Sequence, residues 1–132
     1  MLSENSSVQG FTLIEMLVTV VIIGIFAMMT LPAYQDSLRS GRRGDAKAEL
    51  MRLAQAEAKW RMSHVTYANA TELGGLPATT DYTFAVATNT ASNFVISAVP
   101  TSTRGQNKDV CGELTINQDS VLVSKLSLCS KP

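Results

Sequence analysis

The hydrophobic and polar positions divide the chain into two unequal parts. Residues 16–35 form a run of 20 consecutive residues without a charged side chain. As an α-helix, which rises about 1.5 Å per residue, such a run reaches roughly 30 Å, the thickness of the hydrocarbon core of a bilayer. The pattern therefore predicts a helix near the N-terminus that is able to span a membrane.

After this run the pattern becomes amphipathic. Apolar residues recur on one helical face, and polar residues lie opposite: Ala46, Leu50, Leu53 and Trp60 against Arg52, Gln55 and Lys59. Glu57 falls on the apolar face, where it pairs or lies at the edge. We expect the helix to end near His64, because the residues that follow are strand and turn formers.

The rest of the chain predicts a loop followed by four strands. Residues 66–81 form the loop, and the alternating segments 82–88, 93–99, 112–117 and 120–124 predict the strands. A small antiparallel sheet needs a cover for its apolar face, and the helical face with Leu50, Leu53 and Trp60 is available. The expected fold is α+β: a long N-terminal helix packed on a four-stranded antiparallel sheet.

Composition and charge set further limits. The length of 132 residues allows one modest soluble domain and an anchor. Lysine plus arginine equals aspartate plus glutamate at 11 each, so the net charge does not favour a nucleic acid or an acidic substrate. Basic residues follow the apolar run, and the positive-inside rule alone would place the C-terminal part in the cytoplasm. These residues are Arg39, Arg42, Arg43 and Lys47.

Glu15 is the one charged residue in the apolar segment 10–34. A carboxylate there is costly to desolvate, which favours a functional partner over accident.

Gly10 followed by Phe-Thr-Leu-Ile-Glu resembles the processing site of type IV pilins and of the related type II secretion pseudopilins. The alternatives are a plain signal anchor with an incidental glutamate, or a secretory signal peptide. The latter fits worse, because its cleavage site would follow the apolar run.

The resemblance implies how the chain is processed and divided. A prepilin peptidase would cut between Gly10 and Phe11 and methylate the new N-terminal Phe11. Residues 1–10 would then be the leader, 11–35 the transmembrane and fibre-core helix, and 36–132 the periplasmic pilin head. Pro32 stands where such helices carry a proline kink, so Glu15 and Pro32 are the expected assembly residues. The leader lacks the lysine or arginine usual in the family, so a misplaced start codon stays open.

Cys111 and Cys129 lie near the C-terminus. A disulfide between them would close a loop of about 19 residues, worth roughly 3 kcal/mol in the chain-entropy model. The pair resembles the disulfide that bounds the variable D-region of type IV pilins, and it favours an oxidising compartment over the cytoplasm. The alternative is two unpaired buried thiols.

The sequence gives no reason to expect catalysis. His64 is the only histidine and has no cysteine or acidic cluster at metal-ligand spacing beside it, so we expect a helix-end role for it. No Gly-x-Ser-x-Gly elbow and no glycine-rich phosphate loop is present. We therefore expect no enzyme activity, no catalytic residues, no metal and no cofactor.

Two groups of basic residues are candidates for contact with phosphate. The cluster after the apolar run could meet lipid headgroups or DNA, although we favour a solvated helix flank. The C-terminal region has four cations accompanied by acids, so a DNA-binding patch there stays open. The cations are Arg104, Lys108, Lys125 and Lys131, and the acids are Asp109, Glu113 and Asp119.

The resemblance implies a structural subunit of a type IV pilus, similar to the short PilE-type minor pilins of the type IVa class, with a major pilin left open. It would reside in the bacterial inner membrane with one span and then join a surface fibre for motility, adhesion or DNA uptake. Its partners would be other pilin subunits, prepilin peptidase, the pilus assembly machinery of the inner membrane, and membrane lipid before assembly.

Two alternatives remain from the sequence. The first is a DNA-binding or adhesive competence pilin that uses the loop 66–81 and the cysteine-bounded region. The second is a type II secretion pseudopilin. The cysteine pair and the lack of an obvious C-terminal calcium-ligand run count against the pseudopilin.

Overall fold

The computed structural model describes residues 10–126 and residue 129, so the expected leader lies almost wholly outside the described residues. The elements are the helix α1 (Leu13–Arg61), the strands β1 (Tyr82–Asn89) and β2 (Phe94–Pro100), a 3-10 segment η1 (Thr103–Lys108), and the strands β3 (Leu114–Asn117) and β4 (Leu122–Ser124). This order agrees with the predicted α+β fold. The chain divides into two compact units, Met1–Gln35 and Asp36–Pro132, and we describe each by itself.

The described part of the first unit is helical from Leu13 and exposes every residue from 10 to 35. Its most apolar 18-residue stretch has a mean hydropathy of 2.4, so the helix is long and apolar enough to cross a membrane. Pro32 lies inside the helix and removes one backbone donor from it. The first unit therefore has an apolar surface that its described residues do not cover.

The second unit has a hydrophobic core between α1 and one face of the sheet. The apolar positions of α1 recur at helical spacing, as predicted, and Leu50 and Leu53 are almost fully buried. The strands contribute their alternate residues to the same core, as a half-buried sheet requires. The core comprises Ala46, Leu50, Leu53, Ala54, Tyr82, Phe84, Phe94, Ile96, Ala98, Leu114, Ile116 and Leu122.

The sheet is an antiparallel meander in the order β1-β2-β3-β4. Ile96 pairs with Val86 on one side and with Ile116 on the other, which places these side chains on one face. A register shift between Val86 and Thr88 interrupts the β1–β2 ladder. The last two strands are shorter than predicted, because Gly112 and Ser120 adopt positive φ angles of 59° and 56° that break extended backbone.

The helix ends at Arg61, near His64 as predicted. Two details differ from the expectation. Trp60 does not cover the sheet: it lies half-buried outside the core, and its ring stacks on His64 with centroids 3.7 Å apart. Tyr67, from the loop after α1, packs against the core instead and meets Phe94 edge-on at 4.9 Å. The second difference is η1, which the sequence pattern did not predict.

Candidate functional site

The expected processing residues lie at the start of α1. Phe11 is 77% exposed and precedes the helix. The hydroxyl oxygen of Thr12 accepts a hydrogen bond from the backbone N–H of Glu15 at 3.3 Å, so Thr12 caps the helix. The Thr-x-x-Glu spacing is a capping-box signature that our sequence interpretation missed. Among the described residues, none forms a salt bridge with Glu15.

The arginines after the apolar run are not a solvated flank, so that interpretation is wrong. The side chains of Arg39, Arg42 and Arg43 are only 17%, 19% and 19% exposed. Each lies close to an aspartate, and two of these aspartates come from distant parts of the chain. The nitrogen-to-oxygen distances are 2.6 Å for Arg39 and Asp36, 3.7 Å for Arg42 and Asp81, and 2.6 Å for Arg43 and Asp109.

A buried set of polar side chains fixes η1 on α1; we call Arg43, Tyr82, Gln106 and Asp109 the polar clamp. The Gln106 amide nitrogen donates to the Tyr82 hydroxyl at 3.1 Å and to the backbone carbonyl of Arg39 at 3.2 Å. The Tyr82 hydroxyl in turn donates to Asp109 Oδ2 at 3.4 Å. Burial is the main cause that raises the pKa of Tyr82, so this hydroxyl stays a donor.

Asp81 is shared by two guanidinium groups. Arg104 Nε lies 3.1 Å from Asp81 Oδ1, and Arg42 approaches the same oxygen. Two cations on one carboxylate leave an excess of positive charge, and the Arg104 side chain is the exposed one, at 52%. The backbone of Arg104 has a φ of 52°, a left-handed conformation that is uncommon for a non-glycine residue. The segment η1 therefore presents a cation at the surface.

Two further lysines of the second unit are exposed. Lys108 ends η1 and is exposed, and Lys125 is exposed where its side chain packs near Gly112. The loop 66–81, which one alternative assigned to ligand contact, contains Glu72 and Asp81 but no lysine or arginine. The loop therefore offers a phosphate only uncharged hydrogen-bond donors and no cation. Lys131 lies outside the described residues.

Glu57 is buried rather than at the edge of its helical face, with 0% exposure. Its Oε2 accepts a hydrogen bond from the backbone N–H of Ala68 at 2.8 Å, which ties the loop after α1 to the helix. Its Oε1 is buried, and none of the described residues supplies a hydrogen-bond partner for it. Burial is the main cause that raises the pKa of this carboxyl, with a smaller contribution from the negative charge of Glu72.

His64 lies just past the end of α1, as expected. Its Nδ1 is 3.0 Å from the backbone carbonyl oxygen of Trp60, one of the last carbonyls of the helix. Within the described residues, no group of three or more histidine, cysteine or acidic side chains is placed to hold a metal ion.

Cys111 and Cys129 form a disulfide, as predicted, with their Cα atoms 5.7 Å apart. The bond closes the part of the chain that holds β3 and β4. The backbone N–H of Cys111 lies 3.4 Å from Asp109 Oδ1, so the disulfide adjoins the polar clamp.

Comparison with known proteins gives two family matches. Residues 32–115 match the family model of the type IV minor pilin ComP, DNA uptake sequence receptor. Residues 5–31 match the prokaryotic N-terminal methylation motif. The first match covers more than half of the chain and includes α1 from Pro32, β1, β2 and η1.

Similar sequences include a fimbrial protein of Neisseria meningitidis, 30% identical over 77 residues, which are 58% of this chain and 45% of that protein. The type IV major alpha-pilin of Moraxella bovis is 45% identical over 42 residues, 32% of this chain and 26% of the relative. The chain thus spans less than half the length of these relatives.

Similar solved structures are also pilins. A type IV pilin from Shewanella oneidensis has a TM-score of 0.57 and 25% identity, covering 71% of this chain and 99% of its own. The non-core minor pilin PilV of N. meningitidis has a TM-score of 0.59 and 15% identity, covering 68% and 89%, and it supports the fold alone. With the long helix on a four-stranded sheet and the methylation motif, these matches identify the chain as a member of the ComP family of type IV minor pilins, which are structural subunits and not enzymes.

Proposed function

We propose that this minor pilin captures double-stranded DNA during uptake while it is part of a type IV pilus. The observation that carries the proposal is the match of residues 32–115 to the DNA uptake sequence receptor family. This stretch contains the polar clamp and the exposed segment η1. The DNA contact is therefore assigned to the second unit.

The exposed cations Arg104, Lys108 and Lys125 support this assignment. Asp81 contacts both Arg104 and Arg42, so one carboxylate faces two guanidinium groups, and Asp109 is paired with Arg43 of α1. Cations therefore outnumber carboxylates around η1, although the whole chain has no formal net charge. Exposed cations of this kind bind the phosphate backbone, which supplies most sequence-independent affinity for DNA.

Salt dependence of DNA binding tests this proposal. The full chain in detergent micelles is titrated against a labelled duplex at several salt concentrations. Contact of three cations with phosphates predicts that log K falls against log salt with a slope of about −2.7, and Lys125→Gln should make the slope shallower by about 0.9.

The matched control is Lys59→Gln, which removes a lysine from the last turn of α1 and should leave the slope unchanged. If the wild-type chain shows no salt-dependent binding to any duplex, it is a fibre subunit that does not capture DNA. If Lys125→Gln and Lys59→Gln give equal slopes, the assigned surface is wrong.

We also propose that prepilin peptidase cuts between Gly10 and Phe11 and methylates Phe11. The match of residues 5–31 to the methylation motif supports this. Residues 11–35 would then anchor the protein in the inner membrane with a single span and a periplasmic head, before the assembly machinery adds it to a fibre. The exposed apolar surface of this segment is consistent with both a lipid and a subunit environment.

Glu15 then acquires a role in assembly. No lysine, arginine or histidine lies in residues 11–35, so the only cation that this segment supplies is the α-amino group exposed on Phe11 by cleavage. In a helix that began at Phe11, four residues would separate the two groups by about 6 Å along the axis. We propose that Glu15 of one subunit pairs with this amino group on a neighbour, because a lone carboxylate in a packed core is costly. Pro32 shapes the same packed segment.

The cleavage site has a direct test. Gly10→Leu should block processing, so that the chain accumulates in membranes at the precursor mass. Gly24→Leu is the matched control, because it makes the same change inside the apolar run and should still be processed. A Gly10→Leu chain of mature length would contradict the assigned site.

A further inference from the structure

A cleft of about 350 Å³ lies in the second unit, between the last turns of α1 and the loop that follows the helix. Small-molecule sites in proteins have volumes of about 300–1,000 Å³ and are lined by apolar and aromatic side chains with a few polar groups. We propose that this cleft binds a pyranose ring of a carbohydrate. Its lining includes Lys59, Trp60, Ser63, His64, Glu72 and Leu73.

Trp60 and His64 supply the aromatic wall of the cleft. Their rings stack in parallel, with centroids 3.7 Å apart and an angle of 5° between the planes. Trp60 lies outside the hydrophobic core, so packing on the sheet does not account for a large apolar ring at this position. The C–H groups on one side of a pyranose ring are apolar, and they pack against the electron-rich face of an aromatic ring. The stacked pair is therefore suited to contact a sugar.

The charged side chains of the lining favour an uncharged ligand. Lys59 and Glu72 both line the cleft, and within the described residues neither forms a salt bridge. One ammonium and one carboxylate sum to no net charge, so a phosphate or an amine would meet a repulsive group as well as an attractive one. Sugar hydroxyls both donate and accept hydrogen bonds, so they can bind to both side chains.

Backbone hydrogen bonds fix Glu72 on the loop side of the cleft. Its Oε2 accepts a hydrogen bond from the backbone N–H of Asn69 at 2.7 Å, and Asn69 Oδ1 accepts one from the backbone N–H of Glu72 at 3.0 Å. This reciprocal pair is the arrangement of a capping box. Because the carboxylate is already ordered, a ligand that binds to it costs less side-chain freedom.

The two walls of the cleft are joined within the second unit. The backbone N–H of Ala68 donates to Glu57 Oε2 at 2.8 Å, and Leu73 packs against the hydrophobic core, so the loop is tied to both the helix and the sheet. On the helix side, His64 Nδ1 lies 3.0 Å from the carbonyl oxygen of Trp60, which keeps the imidazole beside the indole. The cleft is thus formed before a ligand arrives.

The cleft is separate from the surface proposed to contact DNA. Arg104, Lys108 and Lys125 are not among the residues that line it. Carbohydrate binding and DNA binding therefore depend on different lysines, and the loss of one activity would leave the other unchanged.

The fluorescence of Trp60 gives a direct test, because it is the only tryptophan in the chain. The full chain, in a detergent without a sugar headgroup, is titrated with the methyl glycosides of glucose, galactose and N-acetylglucosamine. At least one glycoside should change the Trp60 emission in a saturable way. Glu72→Gln should raise the Kd of that glycoside about fivefold, because a charge-assisted hydrogen bond is lost. A capping box accepts glutamine, so this variant keeps the loop.

Lys59→Gln should raise the same Kd by a similar factor, whereas its matched control Lys125→Gln should leave it unchanged. Glu113→Gln, at an exposed carboxylate outside the cleft, is the control for Glu72→Gln. If Trp60 responds to none of the glycosides up to their solubility, the carbohydrate site is wrong. A response to glycine alone would show that the cleft takes a zwitterion instead. Equal Kd values for the wild type, Lys59→Gln and Glu72→Gln would also overturn the assignment.

Discussion

The two halves of α1 differ in the solvent exposure of their apolar side chains. From Leu13 to residue 35 every residue is exposed, although nearly all are apolar. Farther along the same helix, Leu50 and Leu53 are 0% and 1% exposed, because the sheet of the same chain covers them. The sheet of the same chain thus shields the second half from solvent, whereas no described residue shields the first half.

The free energy gained by covering the apolar side chains of the first half is large. Burying a large apolar side chain is worth about 1.5–3 kcal/mol, and residues 11–34 expose many of them. Lipid and neighbouring subunits can both cover such a surface, so apolar burial does not choose between the two. Glu15 distinguishes neighbouring subunits from lipid, because its carboxylate needs a cation and lipid tails do not offer one. We therefore expect charge to control the assembly of the first half of α1, and apolar packing to control the stability of the second half.

The strongest test of charge control is Glu15→Val. We expect the variant to insert and to be processed after Gly10, yet to enter fibres at least tenfold less than wild type, since a lost buried ion-pair partner costs about 3–5 kcal/mol. Immunoblots of sheared fibres and membranes give the two amounts. Thr30→Val removes a polar group from the same segment and should assemble normally. Wild-type recovery of Glu15→Val would show that the pairing role is wrong.

Packing control of the second half predicts the effect of Leu50→Ala. Removal of this buried side chain should lower the free energy of unfolding by about 2–5 kcal/mol, because a cavity remains in the core. Met51→Ala, at a neighbouring site that is 39% exposed, should cost much less. Thermal unfolding of the full chain in detergent compares the two, and equal losses would contradict the assigned core.

The disulfide should contribute on a similar or smaller scale. Replacing Cys111 and Cys129 together by serine opens a loop of about 19 residues and should cost roughly 3 kcal/mol. Denaturant unfolding with and without a reductant measures this loss in the wild-type chain, and the double variant should no longer respond to the reductant. A reductant response that persists in the double variant would have another origin.

The smallest effect concerns the pH dependence contributed by Glu57. Its folded pKa is raised above the ordinary value of 4.5, so the folded state binds this proton more tightly than the unfolded state. The wild type should therefore lose stability relative to Glu57→Gln as pH rises from about 4.5 through the raised folded pKa. Glu113→Gln, at an exposed carboxylate, should run parallel to wild type. If the two variants give the same pH profile, Glu57 does not titrate as assigned.

The helix and strands whose apolar residues recur at regular spacing could be predicted from the sequence. Leu50 and Leu53 recur at helical spacing, and the strand residues alternate, so local pattern and final burial agree. The 3-10 segment could not be predicted, because Arg104 adopts a left-handed backbone that its residue type does not favour and that tertiary contacts impose.

The partners of the charged residues were also beyond the sequence. Arg43 and Asp109 are 66 residues apart, and only the fold brings them together. Trp60 looked like a core residue by spacing, yet the helix ends beside it and its ring stacks on His64. By contrast, the cue for the Thr12 cap was present in the sequence at Thr-x-x-Glu.

The measurement that tests the central claim most directly is the intact mass of this chain in sheared pili. The account predicts a species that begins at N-methylated Phe11 and retains the disulfide between Cys111 and Cys129. A chain in the fibres that still begins at Met1 would contradict the assigned processing. Absence of the chain from both fibre and membrane fractions of a piliated cell that expresses it would contradict its role as a pilus subunit.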